Sequence, residues 1–211
     1  MPLSPKARSF AFALVALAVV GAVAAVLLTP PDQKLGAMVR FVMFHGASTW
    51  VNMATFTIAG ILGVAVLVGV TKAGPWNRAF RWVSLPLWCV NAVLGILSMK
   101  LIWGGILWGE PRLGMTFGIL AGAALVFAGQ MLFDSPKVPA ALDLLLAGTL
   151  WTLVIVLPNL FHPDSPVFSS GNVAYISAFL GMVGSIAVGI FTIAFLIARR
   201  PGEMEETADA A

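Results

Sequence analysis

The stretch that decides the fold runs from Val173 to Ala198: VAYISAFLGMVGSIAVGIFTIAFLIA, with no Asp, Glu, Lys, Arg or His in it. At 1.5 Å of rise per residue, about 20 apolar residues cross the hydrocarbon core as a helix, and this run exceeds that length. Five more stretches qualify. They run from Phe10 to Leu28, Phe41 to Val70, Val83 to Trp103, Leu113 to Phe133 and Val138 to Leu157. Thr29-Pro30-Pro31-Asp32 and Thr71-Lys72-Ala73-Gly74-Pro75 are the punctuation expected between spans. The expectation is an all-α, polytopic membrane protein, one integral domain over residues 1–211, with six transmembrane helices and both termini on one side.

Composition agrees. Of 211 residues, 60% are hydrophobic and 10% charged, against about 25% charged in a soluble domain. The mean hydropathy is +0.97. An ordinary soluble enzyme and a nucleic-acid-binding module are thereby excluded, and nucleic acid is not an expected partner, whereas membrane lipid is. The net charge of +3 is explained by topology. With the termini inside, the inner segments hold Lys6, Arg8, Lys72, Arg78, Arg81, Lys137, Arg199 and Arg200, and the outer ones Lys34, Arg40, Lys100 and Arg112. Eight against four is a positive-inside bias, so both termini are expected in the cytoplasm and the chain in the cell (inner) membrane. Lys6 and Arg8 before the first span resemble a signal peptide's start, but the apolar run outlasts a typical h-region, and the span is expected to be retained.

Chemistry has few places to sit. Cys89 is the single cysteine, which excludes an internal disulfide or a CxxC site, and His45 and His162 are the only histidines. His45 lies a few residues into the second span and His162 just after the fifth, so both are expected at the outer surface at similar depth. Between spans three and four on that side runs Trp103-Gly104-Gly105-Ile106-Leu107-Trp108-Gly109-Glu110-Pro111-Arg112-Leu113. Each feature has an ordinary explanation. An interfacial histidine is an amphipathic side chain at the headgroups, and Trp50, Trp76, Trp82, Trp88 and Trp151 make an aromatic belt. Cys89 and Asn91 are expected to serve packing and inter-helix hydrogen bonding. Asp143 is expected to be an interfacial group, since no carboxylate or histidine accompanies it.

Taken together, the outer residues suit a b-type haem held transiently. His45 and His162 would supply the axial ligands to its iron, Trp103 and Trp108 would pack on the porphyrin, and Arg112 or Lys100 would pair with a propionate. Zinc suits them less, although Glu110 would add a ligand. No activated nucleophile, paired carboxylates or phosphate-cradling loop is visible, so binding rather than catalysis is expected.

The order of these elements resembles the CcmC-type haem-handling family of cytochrome c maturation. Met38-Val39-Arg40-Phe41-Val42-Met43-Phe44-His45-Gly46-Ala47-Ser48-Thr49-Trp50 is similar to the family's Arg, apolar run, His, small residues and Trp. Trp103-Gly104, Trp108-Gly109 and Arg112-Leu113 resemble its Trp-Gly repeat leading into Arg-Leu, and His162 falls at its second external histidine. Gly109-Glu110-Pro111 stands where the family has Trp-Asp and a small residue, with Glu110 in the place of the Asp. The resemblance implies haem binding at the outer face and hand-over to a periplasmic haem chaperone. It also implies the company of the ATP-binding-cassette complex subunits of cytochrome c maturation. Two other readings compete: an electron-transfer subunit that keeps its haem, and a cofactor-free structural or transporter subunit of a membrane complex.

Overall fold

A computed structural model describes residues 3–158, 160 and 166–200. The chain forms α1 (Pro5–Leu28), α2 (Val39–Leu67), a 3₁₀ turn (Thr71–Ala73), α3 (Gly74–Trp103), α4 (Pro111–Leu132), α5 (Lys137–Val156), a short α6 (Pro166–Ser169) and α7 (Val173–Ala198). Six of these are long and apolar enough to cross a membrane, as expected. Their ends follow from local chemistry. Ser4 accepts from the Ala7 N–H and Pro5 opens α1. Asn172 caps α7 in the same way, and Gly104, at φ +74°, stops α3 in the left-handed conformation that lacks a Cβ penalty.

One boundary moves substantially. α3 begins at Gly74, not Val83, with Pro75 in its first turn, so Arg78 and Arg81 belong to the helix rather than to a loop. Pro86 lies inside it without ending it. Its neighbour Asn52 of α2 binds that stretch from the side: with its amide oxygen turned to the Trp88 N–H, at 2.7 Å, its amide nitrogen donates to the Ser84 carbonyl at 3.2 Å.

α2 is the central helix, packed against α3, α5 and α7; α1 lies outside α7, and α4 covers α5 and α3. Close approach relies on small residues, as it must where lipid supplies no hydrophobic drive between helices. A Cβ on Gly63 would fall 2.5 Å from the Ala140 carbonyl oxygen of α5, and one on Gly60 2.7 Å from the Ala147 Cβ. Gly21 of α1 meets Ser185 of α7, while Ala18 and Ala25 meet Gly189 and Gly181. Those pairings run antiparallel, so Pro5 and Ala198 lie at the same end of the bundle.

The main core gathers Phe56, Trp88, Met115, Ile119, Leu146 and Leu150. Trp88 is edge-on to Phe56 at 5.6 Å. The outside is apolar as well, with Leu28 80% and Ile155 77% exposed. Such faces require hydrocarbon rather than water around them.

Candidate functional site

Contacts between helices set the depth of each residue predicted to form a site. The Trp88 indole Nε1 donates to the Thr116 carbonyl at 2.8 Å, which puts these two residues level on antiparallel α3 and α4. Glu110 lies six residues further out than Thr116, about 9 Å at the helical rise, and the same rise from Trp88 reaches Leu94. The next residue, Gly95, backs His45: a Cβ there would stand 3.3 Å from the imidazole Cε1 and 3.5 Å from Nε2. His45 of α2 and Glu110 at the start of α4 therefore share one depth to within about a helical turn.

The remaining elements converge on that level. Glu110 is 1% exposed and caps α4, accepting from the Arg112 N–H at 3.2 Å. The Arg112 Nη2 donates to the Val154 carbonyl at 3.1 Å, tying the start of α4 to the last turn of α5. Its Nε is buried and finds no hydrogen-bond partner among the described residues. His162 lies outside the described residues; α5 ends at Val156, at this same end of the bundle.

Trp103 lies eight residues beyond Gly95, about 12 Å further toward the rim. Trp108 is 72% exposed in the returning loop, and Lys100 is exposed as well. His45 itself is half-buried about two turns into α2. Of the six predicted residues, His45, Glu110 and Arg112 lie at one depth to within about a helical turn.

Two glycine and serine positions that motif reading missed belong with them. Asn91, Gly95 and Ser98 recur at four- and three-residue spacing on the α3 face that meets α2. Asn91 Oδ1 accepts from Ser48 and Thr49, Gly95 makes room for the imidazole, and the Ser98 hydroxyl is buried without a partner among the described residues. The signal was present as a seam: 77, 81, 84, 88, 91, 95 and 98 on α3 against 45, 48, 52, 55 and 59 on α2, small or polar at most positions.

A scan against protein-family models gives no match, and a search of curated proteins gives none either. The arrangement of the residues therefore carries the functional reading. Among the described residues no group of three or more His, Cys, Asp and Glu is placed to hold a metal ion.

The end of the seam nearest the start of α3 corrects the expectation for Asp143. This carboxylate is not interfacial but 4% exposed, between α5 and α3. It accepts from Arg81 Nε at 2.9 Å and Nη2 at 2.6 Å, and from Asn77 Nδ2 at 2.8 Å. Arg81 also donates to Asn77 Oδ1 at 2.6 Å and Gln130 Oε1 at 3.0 Å. The physical reason is the length of α3: starting at Gly74, it carries Arg81 two turns into the bundle, where a buried charge requires a partner. Counting Arg81 as a loop cation concealed the pair.

Proposed function

We propose that this protein binds haem at the end of the bundle opposite its termini and hands it on during c-type cytochrome biogenesis. The observation that carries the reading is the shared depth of His45 and Glu110, at the end of the bundle where the buried Arg112 Nε lacks an acceptor among the described residues. The donor chemistry fits the cargo. His45 offers an imidazole nitrogen to iron, Arg112 offers an N–H to a propionate, and Trp108 offers an exposed ring at the rim. Gly95 lets the imidazole lie against α3, which limits its rotation. His162, on the neighbouring connection, is the proposed second ligand.

Holding rather than transforming is the task such residues suit. Two imidazoles near a membrane surface can be displaced one at a time by an incoming acceptor, so firm binding and release are compatible. The resemblance to the CcmC-type family supports a periplasmic haem chaperone as the acceptor and ATP-binding-cassette subunits as neighbours. The positive-inside bias supports cytoplasmic termini and an inner-membrane location.

The test is an absorption spectrum of the protein purified in mild detergent with haem supplied, oxidised and then reduced with dithionite. The wild type is expected to show a Soret band with sharp reduced α and β bands. His45→Ala and His162→Ala are each expected to weaken haem binding about tenfold or more, with added imidazole restoring part of it. No Soret band in the wild type, or unchanged haem content in both variants, overturns the reading and leaves a cofactor-free membrane subunit.

A further inference from the structure

The arginines of known placement differ in what they bind. Arg40 Nε has the Thr29 carbonyl at 2.9 Å, Arg81 has Asp143, and Arg112 has the Val154 carbonyl. Arg199, at the end of α7, is held instead by two aromatic rings. Its guanidinium carbon is 6.0 Å from the centre of the Trp76 ring and 5.7 Å from that of Phe195. Its Nε is buried without a hydrogen-bond partner among the described residues. Ring faces stabilise a cation but accept no conventional hydrogen bond from its edge, so the rings leave the Nε–H without an acceptor among the described residues.

The surroundings favour an anion. Lys72, exposed on the 3₁₀ turn, comes four residues before Trp76, and exposed Arg200 follows Arg199. α3 starts beside them with no side-chain cap and no acidic residue in its first turn, so the positive end of its dipole faces this end of the bundle. Val68 and Val70, just before Lys72, are exposed apolar side chains suited to acyl chains. A cation braced by an indole at the end of a membrane helix, with apolar surface alongside, matches the headgroup region of a bilayer.

We infer that Arg199, braced by Trp76 and Phe195 and helped by Lys72, forms a binding site for the phosphate of an anionic phospholipid at the end of the bundle that carries the termini. The site lies at the opposite end from His45 and does not depend on haem binding.

The experiment uses the full chain in nanodiscs of phosphatidylcholine with and without phosphatidylglycerol, followed by native mass spectrometry of the lipids retained. The wild type is expected to retain phosphatidylglycerol in preference to phosphatidylcholine. Arg199→Gln is expected to lose that preference, and Lys72→Gln, an exposed substitution that leaves folding intact, to reduce it about fivefold. Arg8→Gln, removing an exposed cation from α1 at the same end, is expected to leave it unchanged. Equal loss in Arg8→Gln means general charge attraction and overturns the site, as does an unchanged preference in Arg199→Gln and Lys72→Gln. Displacement of the retained lipid by millimolar inorganic phosphate would assign the site to a free anion and overturn the lipid.

Discussion

Replacing Asp143 by Asn leaves the Arg81 guanidinium buried, with side-chain oxygens around it but no countercharge. Arg81 is 5% exposed and Asp143 4%, so water screens neither. The carboxylate accepts from Arg81 Nε and Nη2 and from Asn77, and these bonds hold α3 against α5. Removing one member of a buried pair costs about 3–5 kcal/mol, because the survivor's desolvation is no longer offset. Asp143→Asn and Arg81→Met are each expected to cost that much. The double variant Arg81→Met/Asp143→Leu buries no charge and keeps the volume apolar, so it is expected within about 2 kcal/mol of the wild type. The coupling energy then comes to about 4 kcal/mol or more, far beyond what separate sites show. Unfolding by SDS in mixed micelles, followed by circular dichroism, measures all four proteins. Single variants costing less than about 1 kcal/mol, or a double variant equal to their sum, would refute the argument that the orphaned charge dominates.

Two further outcomes follow from local geometry. Gly63→Ala puts a Cβ against the Ala140 carbonyl, a backbone atom that cannot swing aside, and is expected to cost about 1–3 kcal/mol in the same unfolding assay. Gly148→Ala, with nothing within 4 Å, serves as its control and is expected to be neutral or mildly stabilising; equal behaviour of the two would remove the close-approach argument. In the loop between α1 and α2, the Leu35 and then the Lys34 backbone N–H hold the Asp32 carboxyl below its usual 3.8. The folded value is the lower one, so the loop's stabilisation is present above the ordinary carboxylate range and is lost as pH falls through the folded value. An NMR titration of the Asp32 carboxyl with a midpoint at or above 3.8 would contradict this.

The helices and the site were legible to different degrees. Val173–Ala198 reads as a span because a run of uncharged apolar side chains has one stable environment, and the structure returns the same bounds. The start of α3 was missed because Asn77, Arg78 and Arg81 lower local hydropathy, and hydropathy cannot distinguish a loop cation from one paired inside the bundle. The paired Asp143 is 62 residues from Arg81 in the chain, a separation over which no local pattern signals contact.

At the candidate site, residue types were visible and their grouping was not. His45, Glu110, Arg112, Trp103 and Trp108 stand out by motif, but the sequence does not say which of them share a depth. The depth that joins the first three comes from the contact of Trp88 with Thr116 and of His45 with Gly95.

What the sequence determined alone is what depends on composition and span length: an all-helical bundle with six helices long enough to cross a membrane, an apolar exterior, and few ionisable groups. These follow because the cost of exposing a backbone or a charge to hydrocarbon acts on each segment separately. What only the tertiary structure decided is which groups are neighbours: Arg81 with Asp143, His45 over Gly95, and Arg199 between Trp76 and Phe195. Those pairings depend on the rotation and offset of one helix against the next. Shape complementarity between small residues sets both, and a single helix does not contain that information.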